Sequence, residues 1–330
     1  MKLLGSKAID SFLNDLTPDR IHGFQNVMLG ALKQYKEDPS IIPPRTVSSK
    51  GNTTHLFMPS LGSDVGMKLI TGSPSGFKGA TLIIDPIDGA PIGLIDGAIV
   101  TAFRTALCST IPLVNVLPLD SKDEHSIPKK IFVNGVGAQA YWHIKLTLIL
   151  YSNSINEVFI CNRTLSKAEA LCSSLSHQYD KVKFTPVPVE DSDSIKNAYK
   201  EVSIVYGCVP TTSPGILKEY IDQSNKKIYI SVIGSYKPHM TEVDSKIVGN
   251  ILESNRKIIV DSKEHAGHEA GELIQNNVKE ENLVEVYDFY QGKDENESNI
   301  TLCKLVGLSI MDITIGAELL RLCPGLEVDF

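Results

Sequence analysis

The chain has 330 residues, 42% of them hydrophobic and 22% charged, which suffices for a sizeable core and for two domains of ordinary size. A net charge of −7 supplies no global basic field, which argues against nucleic acid or an anionic membrane as a partner attracted by charge. The six cysteines form no CxxC pair and have no histidine at metal-ligand spacing, so buried reduced thiols are expected, with no disulfide framework and no metal site.

At the N-terminus, Asp10 and Asp15 interrupt MKLLGSKAIDSFL as a signal-peptide core. No membrane-spanning run of about 18 apolar residues is evident, so a cytoplasmic protein is expected. The sequons at Asn52, Asn162, Asn296 and Asn299 are then chance matches. Ala8 to Lys36 contains helix-forming segments broken near Thr17-Pro18, with Thr17 placed to cap a helix and Pro18 at its first position. From Ile41 the texture changes to short strand candidates, HLFMP, GMKLIT, GATLIID and GAPIGLID, with Asp88-Gly89 suited to a hairpin turn. A helix is expected from about Thr101. This half reads as α+β with a substantial antiparallel sheet.

After the loop Pro118 to Pro128, strand and helix patterns alternate: KIFVN, AQAYWHIKLTLILY, VFICN, LSKAEALCSSLS, VKFTPVPV, DSDSIKNAYK, VSIVYGCV, IYISVIGS, KIIVDS and GHEAGELIQ. Repeated βα units predict a parallel doubly wound sheet. GKDENESN, Gly292 to Asn299, is a polar loop, and KLVGLSIMDITIGAELL is an apolar helix placed to return to the first half.

Within the βα context, Gly135, Val136, Gly137, Ala138, Gln139 and Ala140 fit G-x-G-x-x-A. Gly135 permits the tight turn, Gly137 lets a pyrophosphate approach the backbone, and Ala140 is small enough for helix–strand packing. The following strand ends in Asn162, Arg163 and Thr164, without the carboxylate that accepts from a ribose 2′-hydroxyl. An amide, a guanidinium and a hydroxyl can all donate to a 2′-phosphate, so NADP(H) is predicted over NAD(H). The bland alternative is a turn in which Thr164 caps the next helix.

These motifs take part in a wider pattern: PPRTVS, LFMPS, GMKLITGSP, IDGAIVTAFRTA, NGVGAQAYWH, CNRT, VIGSYKPHMTEVD, VDSKEHAGHEAGEL and CKLVGLSIMD. In order and approximate spacing the chain resembles the ornithine cyclodeaminase and mu-crystallin family over most of its length. The resemblance implies a Rossmann domain, residues 117–305, inserted in a discontinuous α+β substrate and dimerisation domain, residues 1–116 with 306–330. It implies a homodimer, and a substrate pocket of Arg45, Lys68 and Arg104 facing the nicotinamide. It also places Glu269 near the ligand, and Val209, Ser235 and Gly307 at the cofactor. The chemistry agrees: two arginines can hold a carboxylate, and a lysine can donate a proton to an imine nitrogen. Glu269 also reads as a helix N-terminal carboxylate.

One departure stands out. The family's cyclodeaminases carry an aspartate where this chain has Tyr236, and a phenol is no ready carboxylate base near neutral pH. The first expectation is therefore an NADPH-dependent reductase of a small imino acid, or the reverse amino-acid dehydrogenase. Ornithine cyclodeaminase and a low-activity binder of NADPH and a small ligand are the alternatives.

Overall fold

The computed structural model describes residues 1–74, 76–292 and 299–329; most of the polar loop at Gly292–Asn299, with the Asn296 sequon, lies outside the described residues. The chain forms two compact units, Met1–Cys108 with Gly307–Phe330, and Ser109–Val306.

It opens with β1 (Lys2–Leu4), α1 (Ser6–Asn14) and α2 (Pro18–Glu37). Thr17 caps α2 by accepting from the Arg20 N–H, and Pro18 takes the first helical position, where a missing N–H leaves nothing unpaired. Next come β2 (Thr46–Lys50), β3 (Thr53–Leu61), β4 (Val65–Ser73), β5 (Gly76–Ile84) and β6 (Pro91–Asp96), with each consecutive pair from β2 to β6 antiparallel. The hairpin turn between β5 and β6 closes as the sequence suggests, with Gly89 at φ +79° donating to the Asp85 carbonyl. β2 was not anticipated: TVSSK is exposed along its length and has no apolar alternation to betray it.

Helix α3 (Gly97–Val116) starts ahead of the expected Thr101, because Asp96 accepts from the Ala98 N–H at 2.9 Å and fixes the first turn there. Against expectation, α3 is long and apolar enough to cross a membrane by length and composition; 78% of that stretch is buried inside the protein, as in a core helix.

The second unit runs through β7 (Lys130–Asn134), α4 (Ala138–Leu150), β8 (Glu157–Asn162), α5 (Leu165–Ser176), β9 (Lys183–Pro188), α6 (Ser192–Tyr199) and β10 (Val202–Gly207). It continues with α7 (Lys218–Ile221), β11 (Ile228–Val232), α8 (Ser245–Glu253), β12 (Ile258–Val260), α9 (Lys263–Glu269) and α10 (Gly271–Gln275). β13 (Leu283–Glu285), α11 (Val286–Gln291) and β14 (Ile300–Lys304) complete it. These strands form an all-parallel sheet in the order β13-β12-β14-β11-β10-β7-β8-β9. β10 and β11 are buried at every position, as central strands covered on both faces must be. From β7 the chain builds outward to β8 and β9, then returns to β10 on the other side, so the strand order reverses at β7 and β10. That is where a doubly wound sheet opens a ligand crevice.

Two expected elements differ. The helix read at GHEAGELIQ is two short helices, α9 and α10, meeting at Ala270. The apolar helix read from Lys304 begins only at Ser309: Lys304 ends β14, and Gly307 at φ +91° breaks the chain between.

The chain returns to the first unit with α12 (Ser309–Leu322) and β15 (Leu326–Glu327), giving a sheet in the order β15-β1-β6-β5-β4-β3-β2. α12 lies close on that sheet: a Cβ on Gly316 would meet Ile95 Cδ1 at 2.9 Å and Thr81 Cγ2 at 3.8 Å. Ile310, Ile313, Ile315, Leu319 and Leu320 are buried with it, each contributing about 1.5–3 kcal/mol by burial.

Candidate active site and nucleotide cradle

In the first unit, strand register sets the site. Met58 on β3, Lys68 on β4, Thr81 on β5 and Ile95 on β6 stand directly opposite one another, in one row across the sheet. Opposite residues share a face, here the face beneath α12. β2 begins at Thr46, which pairs with Phe57, and half-buried Arg45 immediately precedes it.

Arg104 reaches the same centre from α3, through a residue the sequence reading passed over. Asp312, in the first turn of α12, is fully buried; Lys68 Nζ donates to its Oδ1 at 2.7 Å, and Arg104 Nε stands 3.1 Å from its Oδ2. Thr101 donates to the same Oδ1 at 3.1 Å, and Arg104 Nη1 reaches Met311 Sδ at 3.4 Å. The signal was present: a lone carboxylate inside the apolar run GLSIMDITIG must find cations when buried.

Gly307, expected at the cofactor, belongs to this cluster. A Cβ there would fall 2.8 Å from Arg104 Nη2, and its φ of +91° suits glycine. Burial lowers the Lys68 pKa from 10.5 to about 8, with Asp312 pulling it back up and Arg104 pushing it down. Burial alone would raise the Asp312 carboxyl; the charges of Arg104 and Lys68 outweigh it and hold it below the ordinary value. Two cations against one anion leave a surplus positive charge in a buried site.

In the second unit, the β7–α4 turn is shaped for an anion. Gly135 has φ +114°, and a side chain there would crowd the Cys208 carbonyl at 3.0 Å. Gly137 is different. It is exposed at the N-cap of α4 with open space where a Cβ would point, and no side chain caps the helix. Exposed Ala138 and half-buried Val136 and Gln139 line the turn, and Ala140 is buried as helix–strand packing requires. A helix N-terminus with no side-chain cap and room above Gly137 fits a pyrophosphate.

At the end of β8, Asn162 is half-buried while Arg163 and Thr164 are exposed. Asn162 Nδ2 donates to the Thr164 carbonyl at 2.9 Å, fixing the turn. Thr164 stands at the N-cap of α5, yet its side chain makes no capping bond, contrary to the bland alternative.

The remaining expected residues lie in the second unit. The Val209 N–H and the Ser235 N–H both donate to Glu242, and Ser235 Oγ donates to buried Glu272. Glu269 is the last residue of α9, not a helix N-terminal carboxylate; Glu264 and Glu272 occupy the first turns of α9 and α10. Tyr236 is partly exposed, with Lys237 Nζ 5.8 Å from its ring centre. All six cysteines are free, five of them buried and Cys208 half-buried.

The parallel sheet with its strand-order reversal and open glycine turn defines a Rossmann-type dinucleotide-binding fold. The chain carrying it belongs to the ornithine cyclodeaminase/mu-crystallin family, whose family model matches residues 10–320. It is 26% identical to a Delta(1)-pyrroline-2-carboxylate reductase of Bacillus cereus, over 88% of each chain. It is also 26% identical to the ketimine reductase mu-crystallin of Macropus fuliginosus, over 75% of this chain and 69% of that one. Among solved structures, the Delta(1)-pyrroline-2-carboxylate reductase of Thermococcus litoralis, in complex with NADH and L-proline, superposes with a TM-score of 0.75. That match covers 97% of each chain at 22% identity and speaks to the fold.

Proposed function

We propose that this protein is an NADPH-dependent reductase of a small cyclic imino acid, run in reverse as an amino-acid dehydrogenase. The observation that carries the reading is the buried Lys68–Asp312–Arg104 cluster with its one surplus positive charge. A substrate carboxylate balances that surplus. Arg104, and Arg45 just ahead of β2, hold the carboxylate by charge-assisted hydrogen bonds. Lys68 then donates its proton to the imine nitrogen, and Asp312 stabilises the ammonium until it does so. NADPH, held by the second unit, would supply the hydride to the carbon of the C=N bond as Lys68 protonates its nitrogen. The names of the bacterial and marsupial relatives agree with this class.

The second unit supplies the cofactor site in this reading, with Gly135–Ala140 on the pyrophosphate and Asn162, Arg163 and Thr164 on the 2′-phosphate. Glu269, Val209, Ser235 and Gly307 retain the ligand- and cofactor-proximal roles suggested by the family, with the last three acting through backbone shape. A reductase is preferred to a cyclodeaminase because Tyr236 offers no carboxylate base.

The protein works as a homodimer in this reading, and the first unit supplies the face. Opposite the Lys68 face, Leu61, Phe57, Ile92 and Leu94 are exposed on one sheet surface, beside half-buried Met67, Leu69 and Leu82. A contiguous apolar sheet face of this kind is covered in a stable protein, and a second copy meeting it by two-fold symmetry does so.

The deciding assay is NADPH oxidation with a panel of cyclic ketimines bearing a carboxylate. Turnover that Lys68→Ala abolishes supports the reading. No turnover with any ketimine, while NADPH still binds, overturns it in favour of a binding protein.

A further inference from the structure

One carboxylate outside the proposed chemistry fastens two loops of the nucleotide unit at once. Glu242 is 2% exposed and lies beyond the C-terminal end of β11. Its Oε1 accepts from the Val209 N–H at 2.8 Å, in the loop after β10. Its Oε2 accepts from the Gly234 and Ser235 N–H groups at 2.6 and 3.2 Å, in the loop after β11. The loops are close-packed: a Cβ on Gly234 would fall 2.3 Å from the Val209 carbonyl, and one on Gly207 would fall 2.8 Å from Glu242 Oε1. The glycine turn after β7 rests on the same loop, since a Cβ on Gly135 would come 3.0 Å from the Cys208 carbonyl.

The carboxylate is itself held from behind. The Glu242 N–H donates to Glu272 Oε1 at 2.7 Å, and Ser235 Oγ donates to that same oxygen. Lys304 Nζ, at the end of β14, donates to Ser235 Oγ at 2.5 Å and stands 3.7 Å from Glu272 Oε2. Glu242, Glu272, Ser235 and Lys304 are all buried. Three backbone N–H groups facing two carboxylate oxygens favour the anion, since a protonated carboxyl accepts more weakly at its O–H oxygen and brings a donor into a ring of donors.

The sheet order says what these loops serve. If the β7 turn takes the pyrophosphate and the end of β8 takes the adenosine ribose, the other nucleoside extends the opposite way, over β10 and β11. We propose that Glu242 is a positioning residue for the nicotinamide half of the dinucleotide: as an anion it sets the loops after β10 and β11, and dinucleotide binding is coupled to its ionisation. This rests on the nucleotide-binding reading above.

The groups facing it set the window. Burial raises the Glu242 pKa to about 7, Lys304 and the Val209 and Gly234 N–H groups pull it down, and Glu272 pushes it up. The Cys208 thiol also faces it; burial, and then the Glu242 charge, push that thiol up, so it stays protonated through neutral pH. Because the binding-competent form is the anion, affinity falls as pH drops below about 7.

The test is a fluorescence titration with NADPH from acid to mildly alkaline pH, on wild type and Glu242→Gln. The 2′-phosphate titrates in both proteins, so the difference between the two profiles isolates Glu242. Wild-type affinity is expected to fall up to tenfold per pH unit below the inflection. Glu242→Gln, whose amide opposes the donors with a donor, is expected to bind at least tenfold more weakly at pH 8 and to lose that part of the pH dependence. Superimposed profiles overturn the proposal. Should Glu242→Gln not fold, calorimetry of wild type with NADH, which has no 2′-phosphate, in buffers of different ionisation enthalpy decides it. Proton release on binding near pH 7 supports the proposal, and none refutes it. A wild type that binds neither dinucleotide at any pH overturns the nucleotide-binding reading, a different failure from a Glu242 profile that matches wild type.

Discussion

Lys68 and Asp312 stand 244 residues apart in the chain and 2.7 Å apart in the fold, with both side chains buried. Burial brings the lysine down to about 8 while Asp312 resists, so reductive kcat/KM is expected to fall as pH rises through about 8, where the proton donor is lost. Asp312→Asn removes the resisting charge and moves that inflection to lower pH, whereas Lys68→Met removes it and costs about 10²–10⁴ in rate. Stability has the opposite sign. Folded Lys68 titrates at about 8 against 10.5, so the unfolded chain binds more protons between those values and stability rises with pH across them. Urea unfolding of wild type and Lys68→Met over that window checks it; equal slopes contradict a depressed Lys68.

Much of this was legible in the sequence for a physical reason. The nucleotide unit announces itself because its signals are local: KIFVN, the glycine turn and the amphipathic LSKAEALCSSLS each carry their own period. Thr17 and Pro18 mark a helix start by chemistry alone. What stayed hidden is long-range. β2 has no apolar alternation, β1 is three residues long and pairs with β6 and β15 across the whole chain, and Asp312 looks like one acid in an apolar helix until the fold brings Lys68 and Arg104 to it. Val209 and Ser235 attract notice by position, yet their N–H groups are taken by Glu242, which no local pattern predicts.

Arg163 is exposed at the end of β8, beside an N-cap residue whose side chain makes no capping bond. In the proposed function that guanidinium is the partner of the cofactor's 2′-phosphate. Arg163→Ala is expected to weaken NADPH by about 1.5–3 kcal/mol, roughly ten- to hundredfold, and to leave NADH within twofold. Equal losses for both cofactors would instead mark Arg163 as a general anion contact, and no loss for either removes it from the site.

The apolar sheet face predicts an assembly phenotype. Leu94 is 38% exposed on the side opposite Ile95, which is buried under α12. Leu94→Asp places a charge on the proposed dimer face without touching the core. Sedimentation velocity is expected to show a dimer for wild type and a monomer for the variant, with far-UV circular dichroism unchanged. A monomeric wild type refutes the proposed assembly.

The two glycines of the β7–α4 turn separate folding from binding. Gly135 sits at φ +114° with a carbonyl 3.0 Å from where a Cβ would be, so Gly135→Val strains the backbone and crowds its neighbour. A cost of about 1–3 kcal/mol is expected in denaturant unfolding, and binding suffers as a consequence. Gly137 has ordinary backbone geometry and no neighbour within 4 Å of that position. Gly137→Val is therefore expected to lower the unfolding free energy by no more than about 1 kcal/mol, the cost of a poor N-cap residue. Its side chain would occupy the space a pyrophosphate needs, so NADPH affinity should fall by two orders of magnitude or more. The pair is measured together by urea unfolding and NADPH fluorescence. A Gly137→Val protein that binds NADPH as well as wild type, or that unfolds as easily as Gly135→Val, contradicts the assignment of this turn as the pyrophosphate cradle.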